Sequence, residues 1–273
     1  MITSSPSPLL VKARQSGRCI VDVTPESAGW KYVGFRALRL AAGDTESSQT
    51  ADRELCVVVL TGSIDASVEG KTFSGLGSRD SVFDPVAPAA LYLPPRTRFS
   101  VRATRDSELA LCSSPATGQH GVRLLDPSTM RRSVRGVGSN TRTICDILPQ
   151  DDAGAEHLLV VEVVTPAGHA SSYPPHKHDR DAPGETQLEE TYYHRLNPPQ
   201  GFAFQRVYTD DRSLDEAIAV ENHDTVLVPR GYHPCVAPHG YDLYYLNVMA
   251  GPARRWVFRN DPAHEWMLRA GGA

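Results

Sequence analysis

Short apolar runs, separated by proline and glycine, follow one another along the whole of this chain. Gly34–Leu40 (GFRALRL) alternates apolar and polar residues and ends in a turn at AAGD. Leu55–Leu60 is unbroken and apolar, as in a strand buried on both faces. Turns at Thr61-Gly62 and Glu69-Gly70-Lys71 bracket an alternating stretch, Ser63–Val68. Ala90–Leu93 stops at Pro94-Pro95-Arg96, and Phe99–Arg102 and Leu109–Cys112 close the first series. A small, polar stretch, Ser113–Gly121, then marks a boundary.

The second half repeats the style. His157–Val164, Glu190–Arg195, Phe202–Tyr208, Thr225–Val228 and Tyr241–Met249 read as strands, and Gly168–Tyr173 leads into a histidine pair. Ser213 and Glu216 fit a capping box, yet the β-rich surroundings favour a strand over Ser213–Val220. Arg131–Asn140 (RRSVRGVGSN) reads as a linker or exposed loop. Asp261-Pro262 resembles a helix cap followed by proline at the first helical position, so a short helix is expected at the tail. Many short strands with regular punctuation predict an all-β sandwich or barrel. LYLPPR at Leu91 echoes VLVPRG at Val226, which predicts two similar halves, residues 1–130 and 131–273.

Composition narrows the function. With 273 residues the chain can bury a sizeable core without disulfides. A net charge of −4 and a pI near 6.2 give no basic stripe for nucleic acid. No apolar run approaches the roughly 20 residues that span a bilayer. The opening MITSSPSPLLVKARQSG lacks the apolar core of a signal peptide and reads as a polar leader, which implies a cytoplasmic protein. The five cysteines are widely spaced without a CxxC pair, as expected of buried free thiols in a reducing compartment. Cys235, close to His233, is read in the same way.

Candidate chemistry concentrates in YPPHKHDRDAPGETQLEETYYHR, from Tyr173 to Arg195. In an extended segment His176 and His178 point to the same side. Glu189 and Glu190 follow a loop, and His233 follows the turn Pro229-Arg230-Gly231. Three imidazoles and one carboxylate suit a single divalent transition metal: Zn, Mn, Fe or Ni. Glu189 and Glu190 face opposite ways in a strand, so only one can be the ligand, and His239 is an alternative to His233. Lys177 lies between the paired histidines and should point away from the metal. The first half has no histidine before His120, so it cannot supply such a cluster.

His-x-His, a glutamate before an aromatic strand, and a histidine behind a Pro-x-Gly turn resemble the metal motifs of the cupin superfamily. The spacing between His178 and Glu190 is longer than is usual there. GWKYVGFRALRLAAGD, NTRTICDILP, SSYPPHKHD and LVPRGYHPCVAPHGYDLYYLNVMAGP are similar to blocks of the deoxyuronate isomerases of bacterial inositol catabolism and pectin breakdown. That resemblance implies a bicupin, with two cupin-type β-barrels and a metal site only in the C-terminal one. It implies aldose–ketose isomerisation of a small-molecule deoxyuronate such as 5-deoxy-glucuronate. It places the metal on His176, His178, His233 and a glutamate of LEETYY, and alignment of the aromatic block favours Glu190. Glu189 is then the candidate proton-shuttling base, and Arg142, ahead of Arg206 and Arg230, the candidate grip on the substrate carboxylate. Self-association into a homo-oligomer is compatible with this reading. An iron-dependent cupin dioxygenase and a non-enzymatic sugar-acid-binding module are the alternatives.

Overall fold

Alternation decides where each strand's side chains go, and it works here on two large sheets. A computed structural model describes residues 7–270, so the first six residues of the polar leader lie outside the described residues. Strands occupy Gly34–Leu40, Ala90–Leu93, Phe202–Tyr208 and Thr225–Val228, as the hydrophobic pattern predicts. The α-helices among the described residues are short, at Pro25–Ala28 and Trp266–Ala270, so the class is all-β.

The two large antiparallel sheets share a strand order. One runs Arg123–Leu125, Ala90–Leu93, Arg53–Thr61, Ser107–Pro115, Gly34–Leu40, Cys19–Val23. The other runs Leu10–Val11, Thr225–Val228, Glu189–Asn197, Asp242–Ala250, Leu159–Thr165, Arg142–Leu148, and adds Arg131–Arg135 at its far edge. The echoing strands Ala90–Leu93 and Thr225–Val228 thus hold the same place, second in each sheet. A small four-stranded sheet accompanies each half, and His176–Lys177 pairs separately with Arg259–Asn260.

The unbroken apolar run in Arg53–Thr61 reflects burial on both faces. Cys56, Val58 and Leu60 enter a core shared with Tyr193, Tyr244 and Val160 of the other large sheet. Leu55, Val57 and Val59 enter a second core with Ile64 and Val101 of the small sheet. Burying each such side chain contributes about 1.5–3 kcal/mol.

Buried glutamates join the halves across the shared core. Glu54 accepts hydrogen bonds from the backbone amides of Glu156, His157 and Leu158 at 2.8, 2.7 and 2.7 Å. Glu189 accepts from the amides of Lys31, Tyr32 and Val33 at 2.7, 2.6 and 2.9 Å. The two arrangements mirror each other, because each amide run immediately precedes an equivalent strand, Leu159–Thr165 or Gly34–Leu40. The ladders agree: Leu55 faces Leu93 in one sheet where Glu190 faces Val228 in the other. The first half therefore carries leucine where the second carries Glu190.

Two local expectations change, and the strand favoured over Ser213–Val220 is found. Arg131–Arg135, expected in a linker, is an edge strand paired with Arg142–Leu148, and only the glycine-bearing remainder forms a turn. The tail helix begins at Trp266 rather than beside Asp261, which accepts from the Tyr208 hydroxyl at 2.8 Å and from the Ala263 amide at 3.0 Å. The capping box at Ser213 is not used, and Asp215–Glu221 is a strand.

Candidate metal centre and cavity

His176 and His178 arrive on an extended segment whose other side carries Lys177. As alternation requires, Lys177 turns away, its ammonium 3.1 Å from Asp179 and 3.0 Å from Asp210. His233 arrives from the turn after Thr225–Val228. Gly231 sits there at φ +91°, and a Cβ would lie 2.4 Å from the Tyr208 carbonyl oxygen, so this tight approach requires glycine.

The ring nitrogens of His176, His178 and His233 lie within 4.8 Å of one another. Glu190 Oε2 is 3.1 Å from His178 Nε2 and 3.2 Å from His233 Nε2. Nδ1 of His178 faces the Leu188 carbonyl at 3.3 Å, and Nδ1 of His233 faces that of Gly231 at 2.9 Å. These contacts turn both Nε2 atoms toward the common centre. His233 Nε2 is buried and makes no hydrogen bond, despite its closeness to Glu190. A buried orphaned nitrogen, two further imidazoles and a carboxylate are a donor set that fits a divalent transition metal.

The local electrostatics agree with that fit. Burial opposes the charge on Glu190, but His233 and His178 outweigh it and hold the carboxyl at about 2. Burial, with His233 and His178 nearby, drives the His176 pKa well below its ordinary value. For His178 burial again lowers the pKa, but the hydrogen bond to Glu190 outweighs it and raises it. An ionised Glu190 and a neutral His176 are in the protonation state that ligates metal, whereas His178 must give up the proton that Glu190 favours before it can ligate. Asn247 Nδ2 donates to Glu190 Oε1 at 2.6 Å and fixes the carboxylate's rotation.

The cluster reaches, through His176, a cavity of about 860 Å³ whose wall also includes Arg142, Tyr192, Tyr245, Asn247 and Phe258. Among the described residues, no aspartate or glutamate lines it. The Tyr245 hydroxyl meets Ser171 Oγ at 2.5 Å and that of Tyr192 meets Ser172 Oγ at 3.4 Å. Ser172 is held at φ +60°, in the left-handed region that non-glycine residues seldom occupy. Burial raises both phenol pKa values, so the hydroxyls are neutral donors.

Of the residues singled out from sequence, His176, His178, His233 and Glu190 come together, and Arg142 reaches the cavity. Glu189 does not; its carboxylate is engaged by the three amides of residues 31–33. His239 is exposed and outside the cluster, as is Arg230. Arg206 pairs with Asp215 at 2.7 Å. Cys235 is buried as expected, and burial pushes its thiol pKa well up. Sequence reasoning missed Asn247, whose signal was a lone amide inside the apolar strand Asp242–Ala250.

No helix among the described residues is long and apolar enough to cross a membrane. The KduI/IolB family model matches residues 9–267. The chain is 51% identical over 252 residues to the 5-deoxy-glucuronate isomerase of Geobacillus thermodenitrificans, covering 92% of each chain. It is 48% identical to the enzyme of that name from Bacillus subtilis strain 168, covering 92% of this chain and 93% of that one. A crystal structure of an IolB-like protein from Salmonella typhimurium superposes with a TM-score of 0.93 at 48% identity, covering 95% of this chain and 99% of that one. A mutant of the Bacillus subtilis oxalate decarboxylase superposes at 0.65 with 12% identity, over 94% of this chain and 80% of that one, a likeness of fold alone.

Proposed function

This chain belongs to the KduI/IolB family, and from that premise we propose that it is a metal-dependent aldose–ketose isomerase. The substrate is 5-deoxy-glucuronate and the product 5-dehydro-2-deoxy-gluconate, in cytoplasmic myo-inositol catabolism. The observation that carries this reading is the convergence of His176, His178, His233 and Glu190, with His176 in the wall of a large cavity. The names of the relatives at about half identity support the choice of substrate.

Moving the carbonyl one carbon along requires loss of the proton beside the aldehyde and builds negative charge on two oxygens. His176, His178, His233 and Glu190 would hold a divalent metal, which would supply Lewis-acid stabilisation of that charge, worth several kcal/mol. The chain's own groups position the substrate and hold the charge that develops. The Leu188 and Gly231 carbonyls hold two imidazoles in the ligating tautomer, and Asn247 holds the carboxylate. Arg142 takes the substrate carboxylate. The neutral hydroxyls of Tyr192 and Tyr245, steadied by Ser172 and Ser171, donate to the substrate oxygens as charge develops. Trp256 and Phe258 give part of the wall an apolar surface. With its carboxylate fixed between the halves, Glu189 serves the scaffold rather than proton transfer.

On the same footing, residues 1–130 and 131–273 form two cupin barrels, except that the strand Leu10–Val11 joins the sheet of the second, with the metal in the second alone. The repeated strand order, the likeness to an oxalate decarboxylase and the Leu55–Glu190 correspondence support this reading.

The test is NMR of 5-deoxy-glucuronate mixed anaerobically with metal-loaded protein. The ketose should accumulate without oxygen, activity should vanish on chelation and return with metal, and metal analysis should find about one equivalent per chain. Turnover that persists after complete metal removal overturns the metal's role, and a requirement for oxygen points to the dioxygenase instead.

A further inference from the structure

The edge of the seven-stranded sheet carries an arrangement that folding alone does not explain. Arg135 on the edge strand stands directly opposite Arg142 in the ladder. Directly opposed like charges destabilise a sheet. At the other end of the same ladder the rule is obeyed, since Arg131 faces Asp146 and binds it at 2.7 Å. Arg135 and Arg142 both line the cavity, which has no acidic residue in its wall among those described. Arg142 donates to the Asn140 carbonyl at 3.1 Å, and among the described residues neither guanidinium has a carboxylate within 4.0 Å. The turn between them is shaped to hold Arg142 in place. Gly136 lies at φ +87°, and a Cβ there would meet the Asn140 carbonyl oxygen at 2.0 Å and Arg142 Nη1 at 2.8 Å.

We propose that Arg135 and Arg142 form a two-arginine clamp for the substrate carboxylate, with Arg135 the residue that makes the site selective for sugar acids over neutral sugars. The clamp deepens the isomerase reading and rests on it for the identity of the sugar. It orients the substrate with its acid end at the edge strand and its carbonyl end at the histidines. The bound carboxylate removes the repulsion between the two guanidiniums, so binding and local stability are linked. Burial lowers the pKa of Arg142; Tyr245 opposes this, and the neighbouring Arg135 adds to the lowering.

Two measurements test the clamp. In the first, Arg135→Ala is assayed with 5-deoxy-glucuronate and with an analogue whose carboxylate is reduced to the alcohol. KM for the acid should rise about tenfold or more, with kcat within about threefold and metal content unchanged. The analogue's kcat/KM should not move, and Arg135→Lys should recover part of the loss. An unchanged KM for the acid, or an equal loss with the neutral analogue, overturns the proposal. In the second, D-glucuronate is titrated into metal-free protein and thermal unfolding is followed. It should raise the Tm of the wild type and leave that of Arg135→Ala unmoved; equal shifts in both overturn the clamp without reference to turnover. Wild-type turnover alone tests the isomerase reading, so the two can fail separately. Arg135 is exposed on an edge strand, which protects the test from misfolding.

Discussion

Glu189 and Glu190 are neighbours in sequence with opposite duties, and strand geometry assigns them. Glu190 points to the histidines, and Glu189 points to the other half of the molecule and closes on the amides of Lys31, Tyr32 and Val33. That opposition was legible in the sequence, because side chains alternate along an extended segment. The scaffold role of Glu189 was not, since its partners lie more than 150 residues away. The two residues give opposite predictions. Glu190→Gln should lose metal affinity in chelator competition while the fold persists. Glu189→Gln should keep that affinity and lose about 2 kcal/mol or more in denaturant unfolding, as expected when charged acceptors of buried amides are replaced. If Glu189→Gln instead released the metal at unchanged stability, their assignments would be reversed.

At the scale of elements, strands that alternate or run continuously apolar were readable, and their ranges hold to within a few residues. The edge strand Arg131–Arg135 was not readable. Its side chains are largely exposed, so no buried face imposes a pattern on it, and its glycine-bearing continuation looks the same as a loop. The turn that carries His233 was readable as a turn, but its closeness to Tyr208 was not. Tyr208 and Tyr232 exchange backbone hydrogen bonds at 2.9 and 2.7 Å across this turn. Gly231→Ala places a methyl against the Tyr208 carbonyl at a left-handed φ. It should cost about 1–3 kcal/mol of stability and weaken metal binding, because the strand that delivers His233 must shift. Unaltered unfolding and unaltered metal affinity in that variant would refute the constraint.

Across the whole molecule the halves are held by ionised groups inside an apolar core, which makes the assembly sensitive to acid. Arg79 of the first half binds Glu162 of the second through two contacts of 2.9 and 2.8 Å, with both side chains buried. Glu108 of the first half accepts from Tyr193 at 2.7 Å, Arg195 at 2.5 Å and His223 at 3.2 Å, all in the second. Burial alone would raise the Glu108 pKa, but the His223 hydrogen bond and the Arg195 charge outweigh it and hold the group at about 2, against 4.5 for a free glutamate. A folded pKa below the unfolded one means that the unfolded chain takes up protons first as pH falls. The stabilisation from Glu108 is therefore fully present above pH 4.5 and is lost as pH drops toward 2. Over that window the loss should amount to about 3 kcal/mol, with a slope of at most about 1.4 kcal/mol per pH unit from this one group. Glu108→Gln cannot bind that proton. Its unfolding free energy should be lower than the wild type's at neutral pH, and the two curves should converge as pH falls through the window. Denaturant unfolding at a series of pH values measures this directly. Parallel curves would mean that Glu108 titrates alike in the folded and unfolded chains, and that the halves are held by the apolar core without help from this carboxylate.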